Sequence, residues 1–424
     1  MTEAFLQYVW QHKLFDNGLH TVGGTQICVE RVGELNRDAG PDFIGARIKM
    51  GDVLWVGNVE IHVHASDWNL HHHSRDKKYN NVILHVVYQY DMDVVLENGK
   101  VVPTVEIAAA IPSSVEAMYD DLMNRGKHDD IPCAGYLDKV PDAFVTMAKD
   151  RMVVERLERK ALDVRQLYEN TNGGYEETCY RLVARYFGAK ANAFPFEMLA
   201  EKTPMSVIAK IRDDSFRVEA LLFGQAGLLG GKHEDDYPTK MSKEYSYLRH
   251  AYALEPMPGH LWKFFRLRPF SFPTLRISQF ANLLCKTNGL FSKLLEAKDI
   301  DTLSALFKVE ASDYWRDHYV FDTVSKKHNK ATGDSFVLTL LVNAWIPLLF
   351  EYGTQHADYE LRERAVKLLE QMPAEDNRVI RKWRNLGLKV DNAADGQALL
   401  QLYNELCSKK KCLDCQLAYR ILKT

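Results

Sequence analysis

Apolar residues recur at helical spacing through Phe5, Val9, Trp10 and Leu14, which predicts an amphipathic helix over residues 3–15. The period then changes. After a turn at Asn17-Gly18, Gly23-Gly24 opens a strand through Ile27, Val29 and Val32, and a second strand runs over residues 42–50 to the Gly51-Asp52 turn. Residues 53–63 are rich in β-branched side chains and predict a third strand. Ser66 and Asp67 have the character of helix N-caps, leading into a short helix that ends near Tyr79. Residues 81–90 (NVILHVVYQY) are almost continuously apolar, the signature of a strand buried on both faces. A last strand pair, 94–96 and 101–108, straddles Asn98-Gly99.

Beyond about residue 112 the alternation fades. Helical patterns follow over 145–168, 176–188, 196–202, 204–212, 215–229, 242–255, 276–285, 290–297, 299–307, 334–350, 358–370, 376–386 and 395–406, with no fixed repeat period. The expectation is an α+β protein, with an α/β domain over 1–135 and a large all-α domain over 136–424 that includes the C-terminal cysteines.

Composition narrows the classes of function. A chain of 424 residues with 46% hydrophobic and 26% charged residues is long enough for two cores. Net charge is −3, so any nucleic-acid surface has to be local. The N-terminus carries Glu3 and Gln7 within its apolar pattern and lacks a signal-peptide core. The run 336–350 is shorter than a bilayer span and holds Asn343 and Pro347, so it is expected as a buried helix and no membrane association is expected. Seven cysteines without an export signal point to reduced thiols in the cytoplasm. Oligomeric state is not readable.

The chemistry concentrates between Asn36 and Tyr88, where six of the fifteen histidines fall, most of them close to acidic residues. Residues two apart on a strand share a face, so Glu60, His62 and His64 project together. With Asp42 at the start of the neighbouring strand, two carboxylates could share a Mg2+ or Mn2+ ion, and His62 could ligate it or handle a proton of its water. Glu3 or Glu34 could complete such a site, and Asp67 could support it. Competing structural roles are a strand-start residue for Asp42, an ion pair with Arg47 or Lys49 for Glu60, an N-cap for Asp67 and a hydrogen-bonded core histidine for His85. Of His71, His72 and His73, at least one is expected in solvent; His72 or His73 with Asp76 is a further metal option.

The order helix, three strands, helix, strand resembles the PD-(D/E)XK nuclease superfamily. In that family an Asp opens the second strand and an acidic-X-Lys triplet lies on the third. Here Gly40-Pro41-Asp42-Phe43 and Val59-Glu60-Ile61-His62 stand at those places, with His62 where Lys is usual. The resemblance implies a restriction-endonuclease-like core and a metal-dependent nuclease, with Asp42, Glu60 and His62 as catalytic and metal residues. The segments GPDF, VEIHV, SDW and NVILHVVY are also similar to an uncharacterised bacterial family, which brings no activity with it.

Two features lie outside that core. Cys407, Cys412 and Cys415 have C-x4-C-x2-C spacing among Lys409, Lys410 and Lys411, whose charge would favour thiolates. With Cys133 as fourth ligand, or Cys285 in its stead, they could hold Zn2+ or an iron–sulfur cluster; the competing state is three ordinary reduced cysteines. Residues 260–276 interleave Lys263, Arg266, Arg268 and Arg276 with four phenylalanines and Trp262, without acids. Such a segment could bind single-stranded nucleic acid, unless the aromatics are core. The leading expectation is thus a metal-dependent, nuclease-like phosphodiesterase acting on nucleic acid. The alternatives are a catalytically inactive nuclease-fold module binding nucleic acid or protein, and a metallohydrolase of another class that holds its metal through His62, His64 and His85.

Overall fold

The β-branched stretches of the first hundred residues form one mixed sheet in the computed structural model, which describes residues 1–125 and 130–423. Helix α1 (Glu3–Gln11) precedes strands β1 (Ile27–Arg31), β2 (Glu34–Leu35), β3 (Phe43–Met50), β4 (Val53–His64), β5 (Val82–Gln89) and β6 (Thr104–Glu106). The spatial order is β1-β3-β4-β5-β6, with the two-residue β2 also paired to β3. β1, β3 and β4 are mutually antiparallel, whereas β5 runs parallel to β4 and β6 parallel to β5. β5 is buried through its first six residues, as its unbroken apolar run requires.

Two irregularities shape the middle of the sheet. β3 pairs Phe43 with Val59 and Ala46 with Gly57, so Ile44 and Gly45 bulge opposite Asn58. Gly45 takes φ 70° there, and its N–H donates to Asn58 Oδ1. On the other side Gly57 runs tightly beside β5, since a Cβ on it would lie 2.3 Å from Ile83 Cγ2 and 2.7 Å from the Asn81 carbonyl oxygen. Both features sit just before Glu60.

Several expected elements come out differently. The helix foreseen from Ser66 to Tyr79 is one α-turn, α2 (Asp67–Leu70), followed by 3-10 turns over His73–Arg75 and Lys77–Asn81. His72 interrupts it with φ 63°, and Ser66 does not cap it: its N–H and hydroxyl go instead to Asp91. The hairpin across Asn98-Gly99 reduces to a single bridge between Val95 and Val101. Val94, Leu96 and Val102 are drawn under Trp68 and Tyr79, where they build a core in place of a ladder. Helix α3 (Ser113–Arg125) and the C-terminal helix Gln416–Leu422 have no counterpart in the sequence reading.

The chain forms two compact units, residues 1–148 with 402–424, and residues 149–401. The cysteine-bearing C-terminus therefore belongs to the unit that contains the sheet, not to the helical one. Its last helix buries Leu417, Ala418, Ile421 and Leu422 and packs on α3 and on the 3-10 helix Ala134–Lys139. The other unit begins within α4 (Asp142–Asn170) and is almost wholly helical, with a small hairpin at His318–Val320 and Thr323–Val324. Its apolar helix Asp334–Gln355 is long enough to cross a bilayer, yet 72% of its most apolar window is buried within the protein, as a core helix requires. Buried Glu219 ties this unit together, accepting hydrogen bonds from Trp315 Nε1 (2.6 Å) and the Ser312 hydroxyl (3.1 Å).

Candidate metal site on the central strands

Past the bulge, the ladder between β3 and β4 is continued by side chains. The Asp42 N–H donates to Glu60 Oε2 at 3.0 Å, and the Ile61 N–H donates to Asp42 Oδ2 at 3.0 Å. Each carboxylate is thus held by backbone from the other's strand, which fixes both without using their remaining oxygens. Gln7 of α1 donates to Asp42 Oδ1 at 2.9 Å, and more weakly to Glu3 Oε1 at 3.4 Å, so the first helix lays two side chains over the pair.

The free oxygen of Glu60 faces imidazoles. Glu60 Oε1 lies 3.1 Å from His73 Nε2 and 3.6 Å from His62 Nε2. The His73 contact is off-line for a hydrogen bond, and this buried nitrogen is otherwise without a partner among the described residues. His62 Nδ1 is 2.8 Å from His85 Nε2, and His62 Nε2 is 3.2 Å from His71 Nδ1. When His62 Nδ1 donates to His85, its Nε2 lone pair is turned toward the cluster, an outer-sphere bond of the kind that orients metal-ligating imidazoles. One ligand nitrogen from each of His62, His71 and His73 falls within a set no wider than 4.8 Å. Trp68 meets His73 and His85 edge-on and Tyr79 stacks on His73 at 3.8 Å, so the rings are held by packing as well as by hydrogen bonds.

Electrostatics separates the two kinds of group. Burial, and then each carboxylate's neighbours, raise Asp42 and Glu60 well above the ordinary carboxylate range. Glu3 is raised by burial too. His62 is pushed down to about 2 by burial and then by His85, His73 and His71. His85 falls to about 3 for the same first reason. His62 is therefore a neutral imidazole, not a substitute for a lysine's positive charge. The pocket collects acids and lone pairs, which is the character of a cation site.

The sequence-derived set is thus only partly assembled. Asp42, Glu60 and His62 come together, with Glu3 from α1 above them. Glu34 does not join: it is exposed on β2 and ion-paired with Arg31 at 2.5 Å. Arg47 and Lys49 project into solvent, leaving Glu60 to the histidines. His64 is exposed at the rim, where its N–H donates to Asp67 Oδ2 at 2.9 Å. His72 points outward and Asp76 caps the Lys78 N–H. Gln7 and His71 were missed. Gln7 had a sequence signal, being one turn after Glu3 on the same face; His71 had none, because its direction depends on the left-handed His72.

Of the other proposed ligands, Cys133, Cys407, Cys412 and Cys415 are all buried in the unit that contains the sheet. Cys285 belongs to the helical unit. In that unit the 260–276 segment is split in character. Trp262 is buried and donates to the Ala226 carbonyl, and Phe264 packs against Phe272. Phe265, Arg266, Arg268, Phe270 and Lys263 are exposed, with the Arg266 guanidinium over the Phe265 ring.

Fold and site together define an α+β protein whose mixed sheet carries a carboxylate–imidazole cluster, buried at Glu60, His62 and His73 and open at His71. Residues 3–378 match the model of a protein family of unknown function, DUF2851, and the chain belongs to that family. Comparison with curated proteins and with solved structures finds no match.

Proposed function

We propose that the protein is a divalent-metal-dependent, nuclease-like phosphodiesterase whose ion is held by Asp42, Glu60 and the neighbouring histidines. The observation that carries this reading is the mutual fixing of Asp42 and Glu60, which leaves Glu60 Oε1 facing His73 and His62 with no lysine or arginine paired to it among the described residues. A helix followed by three antiparallel strands and a fourth strand parallel to the third supports a restriction-endonuclease-like core. A mixed nitrogen and oxygen donor set suits Mn2+ or another transition ion better than Mg2+. Once bound, such an ion supplies a nucleophilic water and stabilises charge on a phosphoryl oxygen. The protein's own part is to hold Asp42 and Glu60 rigidly, to keep His62 neutral and oriented through His85, and to cover the pair with Glu3 and Gln7. The exposed Lys263, Phe265, Arg266 and Arg268 have the composition of a surface that grips phosphates and stacks bases, which supports nucleic acid as the substrate.

A second reading, a binding module without catalysis, is favoured by one observation: neutral His62 offers no cation to the scissile phosphate. Cleavage of single- and double-stranded DNA and RNA with Mn2+, compared between wild type and Asp42→Ala, separates the two. Loss of a Mn2+-dependent product in Asp42→Ala is expected. Nucleic-acid binding with no hydrolysis under any divalent ion would leave the binding module. The reading built on His62, His64 and His85 loses support, because His64 is exposed while Asp42 approaches Glu60.

A further inference from the structure

Four of the seven cysteines, separated by up to 282 positions in the chain, converge in the unit that contains the sheet. Cys133 opens the 3-10 helix Ala134–Lys139. Cys407 ends the helical turn Leu402–Cys407, and the Lys410 N–H closes back on its carbonyl oxygen at 3.1 Å. Cys412 begins a 3-10 turn in which the Cys415 N–H donates to the Cys412 carbonyl oxygen at 3.1 Å, and Cys415 leads into the helix Gln416–Leu422. That helix packs against Ala134–Lys139 and so brings Cys133 to the C-terminal trio. All four are at most 7% exposed, and all seven cysteines are described, with no disulfide among them.

Four buried thiols from three separate turns, with no disulfide among them, are the donor set of a structural zinc or an iron–sulfur cluster. A separate observation comes from α1. The Tyr8 hydroxyl is buried without a hydrogen-bond partner among the described residues, and its neighbours are Tyr419 and Cys415.

We propose that Cys133, Cys407, Cys412 and Cys415 hold a thiolate-bound metal centre, a zinc ion or an iron–sulfur cluster. Four thiolates suit one tetrahedral zinc ion or a four-iron cluster alike, and metal and sulfide analysis tells the two apart. This assignment does not depend on the phosphodiesterase reading.

The test is metal and sulfide analysis of the full-length protein, isolated without oxygen, beside Cys133→Ser, Cys412→Ser and the control Cys179→Ser. The wild type and Cys179→Ser are expected to hold about one zinc per chain, or about four iron with four acid-labile sulfides. Both other variants should lose most of that metal. No metal in the wild type after reconstitution with zinc, or with ferrous iron and sulfide, overturns the proposal whatever the variants' folding. Full metal retention in Cys133→Ser removes Cys133 as the fourth ligand and overturns it too.

Discussion

Adding Mn2+ should expel one proton per chain near neutral pH, and that proton should come from Asp42 and Glu60. Two carboxylates, Glu60 buried and Asp42 half-buried, are fixed on each other's backbone and both raised above the ordinary range, first by burial, with the charge of Glu60 adding at Asp42 and that of Glu3 at Glu60. A cation requires both charged, so it displaces whatever protons they hold. Between their raised values, about 7 and about 8, log K for Mn2+ should therefore climb about one unit per pH unit, or about 1.4 kcal/mol per unit, and more steeply below them. Above both the slope should vanish. The buried imidazoles add nothing over this range, because His62 and His85 are pushed down to about 2 and about 3. Calorimetric titration from about pH 6 to about pH 9, in two buffers of different ionisation enthalpy, gives affinity and proton count together. Asp42→Asn removes one of the two competing charges and should flatten the slope while weakening binding. A flat wild-type profile with no proton released would refute the reasoning, since it would mean that the pair is already ionised or is not the site.

Further consequences are open to direct measurement. His62 and His85 have folded pKa values below the ordinary 6.5, so their contribution to stability is complete above that pH and is lost as pH falls below it; urea unfolding of His85→Gln should show a weaker loss on acidification than wild type. Gly57→Ala should destabilise the sheet by roughly 2–4 kcal/mol, through the collision with Ile83 and the Asn81 carbonyl, and an unchanged urea midpoint would contradict the close approach of β4 and β5. Trp68→Ala should cost about 3–5 kcal/mol and loosen the ring stack against His73 and His85, seen as lower Mn2+ affinity as well as a lower urea midpoint. If the basic loop meets phosphates, replacing Lys263, Arg266 and Arg268 with alanine should lower the salt slope of nucleic-acid binding by about one for each contact removed, similarly for all sequences.

How far the chain could be read in advance depended on how local each cause was. Strand periods and the buried run over 81–90 are written in neighbouring residues, so β3, β4 and β5 fall where the pattern indicates, as do most helical spans of residues 149–401. Asp42 with Glu60 was legible because the turn at Gly51-Asp52 makes their strands adjacent. The histidine arrangement was not, because it turns on one left-handed residue, His72, and on the parallel register that sets His85 beside Glu60. Glu34 stands apart from the carboxylate pair for a related reason: β2 is only two residues long, and Glu34 is exposed there and paired with Arg31. Assigning the C-terminus to the helical unit was a long-range question that no local pattern could answer. Its apolar residues find their partners on α3 and on the Cys133 turn, nearly three hundred positions away.

Helix α1 is nine residues long, too short to persist in water by itself. One face, through Gln7, leans on Asp42 of the sheet; a neighbouring face carries Tyr8 against His12, which in turn meets the Tyr419 ring of the C-terminal helix. Either flank can unseat it. Damage to the sulfurs by air should thus be noticed first as a weakened grip on a hard cation, far along the chain from the atoms that were oxidised.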